Sequence, residues 1–410
     1  DSEFSRNDQN MPPDAVAVTA LADRVAGALW GMFIADALAM PVHWFYGGGD
    51  QIRKKFGGPI TGYQQPLQRA GDFPESIMAL SSTGGAGRGG TGDGDIIGTI
   101  INHGKKDLWT RGSGHHYHCT LQKGETTLEG EMARLTMRSM SSGGGFDFLD
   151  RLQLEYVDFM TSPGSHNDAY ASSYHRMFFQ NRARGKPLHE CPSVPVPGLQ
   201  PRTGTRWGLL SLCSLLPLTT PWLESNGGKN DGHNVDAIDG LVMPAVVLLG
   251  GATTSETQAR EAAQKSVRVT RSSKPVEAYV GELSTLLRAI LRGESAPEVA
   301  TAVARRAGMR LDPSMAVPVV ACYVDQNWAS LLLLLIKHGD DLPRCLLANA
   351  NAGGENVHRG LVLGAIVGAN VGSRAIPDEL KRGLHHSAQI EQEIASFVAA
   401  RIGEADTCGA

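Results

Sequence analysis

A pair of glycines leading into a helix of small residues constrains this chain more than any other feature. The segment Asn349-Ala-Asn351-Ala-Gly353-Gly354-Glu355-Asn356-Val357-His358-Arg359-Gly360 sets two glycines, a carboxylate, an amide, an imidazole and a guanidinium together. Leu361-Val-Leu-Gly-Ala-Ile-Val-Gly-Ala-Asn370 follows at once and reads as a buried helix, small and apolar on every side. Glycines let the backbone come close to a neighbour, and a helix N-terminus offers N–H groups and a positive dipole end, so this turn suits a ligand. The same spacing also fits a polar helix start that binds nothing.

Composition narrows the class. With 410 residues, 41% of them hydrophobic, the chain can bury a large core as one domain or two tightly joined ones. A net charge of −4 and a pI near 6.4 give no basic field and argue against a nucleic-acid partner. The cysteines at 119, 191, 213, 322, 345 and 408 show neither CxxC nor zinc-finger spacing, as expected of free thiols in a reducing compartment. Residues 1–14 are polar, resemble neither a signal peptide nor an anchor, and are expected to be a disordered leader. The run Leu331–Ile336 lies between Asp325-Gln-Asn327 and Lys337-His338 and falls short of the roughly 18 apolar residues of a membrane span. The expectation is a soluble intracellular protein, cytoplasmic unless a missing natural N-terminus directs it elsewhere, with a small-molecule substrate and no membrane partner.

Helical periodicity dominates. It predicts helices over 127–140, 146–160, 168–184, 235–249, 254–270, 275–292, 296–307, 318–337, 356–371 and 389–401, with Thr254 capping one of them. The only strand-like run is Ile96–Ile101, so the fold class is all-α, a multi-helix globule rather than a regular bundle. Residues 47–125 carry three glycine clusters and a histidine run and read as a long irregular insertion; 185–205 is a proline-rich crossover.

Gly27-Ala-Leu-Trp-Gly31-Met-Phe-Ile-Ala-Asp36-Ala-Leu-Ala-Met-Pro41-Val-His43-Trp44 is a second small-residue helix, ending in an acidic and aromatic corner. With Gly353-Gly354 and His233-Asn234-Val235-Asp236-Ala237-Ile238-Asp239, it resembles the ADP-ribosylglycohydrolase family, which includes some eye-lens crystallins. The three motifs occur in family order across residues 22 to 400. The resemblance implies a compact all-α domain over 15–410 and hydrolysis of a glycosidic bond by a magnesium-dependent enzyme.

The metal motifs depart from that pattern. Where the family places Thr-Asp-Asp-Thr, this chain has Thr127, Leu128 and Glu129; where it places Gly-Gly-Asp-Thr-Asp, the aspartates are Glu355 and Val357, and the final Thr is His358. Leucine and valine cannot ligate a hard cation, and His43 stands where a carboxylate usually ends the first helix. Magnesium, held by Thr127, Glu129 and Glu355, is therefore the family's expectation, weakened by Leu128 and Val357. Glu129 and Glu355 could share one cation, act as a metal-free carboxylate pair, or form inert salt bridges with Arg359 and Arg138.

Other groups are candidates for substrate binding. His115, His116 and His118 form a dense imidazole run, in which His116 and His118 face together if the segment is extended. His103, Lys105 and Lys106 could add positive charge for an anionic substrate. Arg88 lies in a glycine loop able to cradle phosphate, and Thr91–Asp95 weakly resembles a calcium loop. His166, Asn167 and Asp168 precede a helix that Asn167 or Asp168 would cap; His233 and Asp236 share a helix face at i and i+3. The expected site combines Glu129, Glu355, His43 and His358 as catalytic groups with Asp36, Arg88, His115, His116, His118, His166, Asn167, Asp168, His233, Asp236, Asn356 and Arg359 as substrate-binding groups. Two alternatives stay open: acid–base chemistry such as a lyase step on a non-nucleotide compound, or a non-catalytic crystallin-like role.

Overall fold

The computed structural model describes residues 13–69, 96–109, 114–143, 148–192 and 235–403. Among them are fourteen helices and no sheet, only isolated bridges such as Ala237 with Tyr323. The helices are α1 (Pro13–Ala39), α2 (Gly48–Phe56), α3 (Leu128–Ser141), α4 (Phe148–Thr161), α5 (Ser173–Ala183), α6 (Val242–Gly250), α7 (Glu256–Val267), α8 (Lys274–Leu291), α9 (Ala296–Arg306), α10 (Val324–His338), α11 (Leu342–Ala352), α12 (Asn356–Val371), α13 (Asp378–Arg382) and α14 (Ser387–Ile402).

The two small-residue helices of the sequence, α1 and α12, lie against each other and form the centre. They run antiparallel: Gly27 faces Gly368, Gly31 faces Gly364, and Ala35 approaches Gly360. A methyl group at Gly31 or Gly364 would collide with the other glycine's carbonyl, so only glycine permits this approach. The pairing delivers the end of α1, with His43 and Trp44, to the start of α12, with Glu355 and His358. Helix α12 is buried from Asn356 to Ala369, and α11, α8 and α6 also pack on it. By length and apolarity, residues Ala17–Val42 would suit a membrane span, but nearly all of that stretch is buried inside the protein, as the core helix.

Several boundaries differ from the sequence expectation, some because a long-range contact competes with the local pattern and others through a local bond. Helix α5 starts at Ser173, not 168, since the Asp168 carboxylate bonds the backbone of Leu128 and Tyr170 instead of capping. Helix α10 starts at Val324, not 318, because the preceding strip gives its carbonyls to distant N–H groups: Val320 to Glu355 and Cys322 to Ile238. Over 235–249, a 3-10 turn at Ile238–Leu241 precedes α6. Helix α7 is capped by Ser255, whose hydroxyl accepts the Gln258 N–H, not by Thr254. Ile96–Ile101 is a tight turn closed by the Gly98 N–H on the Ile101 carbonyl. The irregular region 47–125 contains helix α2, and the pattern also missed α11, which has an Asp341 cap and Pro343 in its first turn. The leader, Arg88, the possible calcium loop and His233 lie outside the described residues, except that α1 already begins at Pro13.

The glycine contact gives a paired test. Gly364→Ala should lower unfolding stability by about 3 kcal/mol or more, as forced overpacking does. Gly281→Ala, in α8 with open space at its Cβ, should raise it by up to about 1 kcal/mol. Urea denaturation of both variants reads the difference; equal effects would remove the close approach from the fold.

Candidate functional site

The site is built where α1 ends against α12. Gly353 and Gly354 both take positive φ, 71° and 62°, and side chains there would strike Phe45 and Val320 backbone. The turn is locked to the corner by two hydrogen bonds, Trp44 N–H to the Gly354 carbonyl (2.9 Å) and Gly354 N–H to the Phe45 carbonyl (3.1 Å). Trp44 itself sits at φ 58°, a left-handed conformation costing about 1–3 kcal/mol for a non-glycine residue. That backbone turns the Trp44 indole N–H onto Glu355 Oε2 at 2.6 Å.

Glu355, at the N-cap of α12, is fully buried and is the hub. Its Oε1 meets His43 Nε2 at 3.0 Å and His358 Nδ1 at 2.8 Å. The contacts continue outward: His43 Nδ1 lies 2.7 Å from His118 Nε2, and His118 Nδ1 lies 2.9 Å from Asp168 Oδ1. The rings of His43 and His118 stack almost parallel, 6° apart. Asp168 also accepts the Leu128 N–H (2.9 Å) at the start of α3. One hydrogen-bonded row, Asp168–His118–His43–Glu355–His358, thus joins three helix ends inside the core.

Glu129 forms a second carboxylate centre on α3. It accepts the Tyr174 hydroxyl (2.5 Å) and the Ser172 hydroxyl (3.1 Å), with His175 Nε2 at 3.3 Å. Tyr156 in turn bonds His175 Nδ1, and the Arg271 guanidinium lies 3.5 Å from the centre of the Tyr174 ring while pairing with Asp239. Asp36 is a third buried carboxyl, accepting the Thr127 N–H (2.6 Å) and hydroxyl (2.8 Å).

Burial and partners divide these groups electrostatically. Burial pushes His358 down, but Glu355, with help from Asp239 and Glu129, raises its pKa to about 10, despite the opposing helix dipole at the start of α12. Burial pushes Glu129 up, and His175, His358 and Tyr174 outweigh it and lower its pKa to about 2. Asp168 is likewise lowered to about 2 against burial by His118 and the Leu128 N–H. Burial dominates at His43, lowered to about 3, and at Asp36, raised to about 7 in spite of its Thr127 bonds. Near neutral pH the centre therefore holds ionised Glu129, Glu355 and Asp168 with protonated His358.

The structure brings together His43, His118, Asp168, Glu355 and His358, and places Glu129 and Asp36 in neighbouring centres. His116 is buried and supports this row, accepting the His118 N–H on its Nδ1 (3.1 Å), while His115 pairs with the backbone of Arg69. Other expected substrate-binding groups make contacts within the protein. Arg359 spends its guanidinium on the Asn349 and Asn327 side-chain oxygens, so it is not the salt-bridge partner of Glu355; Arg138 pairs with Glu393. Asn356 bonds the Val42 and Ala350 carbonyls, and Asp236 accepts the Ser273 hydroxyl. Asn167 ties down the Thr120 carbonyl, and Lys105 bonds the carbonyls of His166 and Asp168. His166 stacks on Phe159 and lines a cavity of about 360 Å³ with Glu131 and Arg134, which Leu128 and Asp168 also line. Sequence reasoning missed Trp44, Ser172, Tyr174, Asp239 and Arg271 as supports. The polar cluster Ser172-Ser173-Tyr174-His175-Arg176 was the available signal.

The fold is an all-α one, built on a helical core pair with a polar centre at its glycine turn. The ADP-ribosylglycohydrolase family profile matches residues 17–407, and the chain belongs to that family. A solved chain described as "ADP-ribosylglycohydrolase-related protein complex" shares the fold, with a TM-score of 0.53 and 17% identity over 94% of this chain and 100% of its own. Comparison with curated protein sequences gives no match. Family members usually bind metal ions, and His43, Glu355 and His358 bring ligand atoms within 4.8 Å of one another. This donor set does not fit magnesium, which demands an octahedron of oxygens. Leu128 and Val357 are core residues: Leu128 packs in the main apolar cluster, and Val357 packs with Ala39, Met40, Leu121 and Ala350.

The buried charges predict an acid transition. Asp168 and Glu129 have folded pKa values near 2, below the ordinary 3.8 and 4.5, so their stabilisation is complete above about pH 4.5 and is lost as pH falls toward 2. Asp168→Asn, which removes one partner of a buried pair, should lower neutral-pH stability by about 3 kcal/mol and flatten the decline of Tm with acid. An unchanged pH slope would show that Asp168 contributes no charge-dependent stability.

Proposed function

We propose that this protein hydrolyses a glycosidic bond of a small polar substrate of the ribosyl class, with Glu129, Glu355 and His358 as the working groups. The observation that carries the reading is the buried contact of Glu355 Oε1 with His358 Nδ1 at 2.8 Å, with a second buried carboxylate, Glu129, in the neighbouring centre. A carboxylate beside the anomeric carbon stabilises an oxocarbenium-like centre, and a nearby acid protonates the leaving oxygen or nitrogen. His358 Nδ1 is engaged by Glu355, so a proton given to the leaving group departs from Nε2. Tyr174, Ser172 and Trp44 hold the carboxylates in place and are positioning residues. Glu355 and His43 have no exposed surface, so substrate reaches them only as neighbouring side chains move aside.

A second reading, acid–base chemistry on a non-nucleotide compound, is favoured by the disposition of positive charge. Arg271 is paired with Asp239, Arg359 with two amides, and Arg176 with the Ala171 carbonyl and the Ser173 hydroxyl. None of these three guanidiniums is positioned as the clamp that a diphosphate recruits.

The test is turnover of ADP-ribosylated protein, ADP-ribose conjugates and simple ribosides, with products read by mass spectrometry. Glu355→Gln and Glu129→Gln keep shape and delete charge, and each should slow hydrolysis by about 10²-fold or more. Turnover confined to non-ribosyl compounds would transfer the assignment to the second reading. Undiminished hydrolysis in both variants would overturn the carboxylate mechanism.

A further inference from the structure

The geometry points to a mononuclear site for a divalent first-row transition-metal ion on His43 Nε2, Glu355 Oε1 and His358 Nδ1, in place of the family's magnesium. The three donors come from the end of α1, the N-cap of α12 and its first turn, and no water-exposed side chain is needed to complete the set. The two measured edges, 3.0 and 2.8 Å, match the roughly 3 Å between adjacent donors around an ion with bonds of about 2.1 Å. Two imidazoles and one carboxylate on one face leave further positions for water or substrate, and nitrogen donors select borderline ions such as zinc, iron, cobalt or nickel.

The row beyond His43 supplies an independent, geometric argument. His118 Nε2 lies 2.7 Å from His43 Nδ1, and His118 Nδ1 lies 2.9 Å from Asp168 Oδ1. With an ion on His43 Nε2, the other ring nitrogen already has the outer partner that metal-bound imidazoles take. His43 Nδ1–H then donates to His118 Nε2, and His118 Nδ1–H donates to Asp168, a carboxylate–histidine relay extended by one ring. Trp44 holds Glu355 Oε2 at 2.6 Å, leaving Oε1 as a single-atom ligand. On binding, the ion displaces the proton that His358 shares with Glu355.

An ion on His358 Nδ1 would take the place of the proton that the hydrolase reading assigns to this histidine, and the site is tested without any activity, so its failure is distinct from the failure of that reading. Untagged protein, stripped with chelator and dialysed, is titrated with Co2+, Zn2+ and Mg2+ by calorimetry, and the Co2+ complex is examined by X-ray absorption. The expected result is one Co2+ or Zn2+ per chain, no competition from millimolar Mg2+, and two imidazole nitrogens in the metal's first shell. His43→Ala and His358→Ala should each abolish stoichiometric uptake, and Asp168→Asn should weaken it 10–100-fold through loss of the relay. No uptake, Mg2+ binding as tight as Zn2+, or a shell containing oxygen alone would overturn the proposal. The absorption result on the unmodified chain decides the question even if a histidine variant fails to fold.

Discussion

The contact on which the rest of the structure depends is the glycine-to-glycine approach of α1 and α12. Gly27 and Gly31 lie on Gly368 and Gly364 with backbone touching backbone, which no larger residue permits. Because the helices run antiparallel, this register fixes which ends meet. Asp36, His43 and Trp44 arrive at one end of the pair, and Gly353 to His358 arrive at the same place from the other strand of the chain. A slip of one turn, about 5.4 Å, would separate Glu355 from both His43 and Trp44. The packing that stabilises the core is therefore also the device that aligns the polar centre.

That centre is costly to bury, and the protein compensates for it by complete pairing. Isolated charges in an apolar interior are strongly disfavoured, so buried ions come in neutralising sets with their lone pairs occupied. Glu355 has three partners, Glu129 three, and Asp168 three, two of them the backbone N–H groups of Leu128 and Tyr170. The strained Trp44 backbone fits the same logic, since relaxing it would withdraw the indole N–H from Glu355. Such strain persists only where surrounding contacts over-determine it, and the paired bonds between Gly354 and the Trp44–Phe45 corner supply that constraint.

Family membership fixes the scaffold, and the chemistry rests on a few side chains placed on it. Leu128 and Val357 are packing residues at the starts of α3 and α12, while His43, Glu355 and His358 set two imidazoles beside one carboxylate where α1 meets α12. One fold can carry many chemistries, so fold alone does not fix the reaction.

The sequence by itself determined the helical class, the two small-residue helices and the glycine turn at 353 and 354, because these follow from local periodicity and residue size; the carboxylates at 129 and 355 were singled out by the family resemblance. Asn356 to Val371 was legible to the residue. Partner choice was not. Arg359 and Asn356 have the same appearance as ligand groups in the sequence, yet tertiary contacts commit them to Asn349, Asn327 and backbone carbonyls. Asp168 reads as a local cap, and only the fold shows it supporting His118 from forty residues beyond the start of α3. Arg271, which stacks on the Tyr174 ring beside Glu129, gave no local sign of that place. Hydrogen bonds and ion pairs act over about 3 Å in space but across hundreds of residues in sequence. Which polar groups do chemistry and which hold the chain together was therefore decided only when the helices packed.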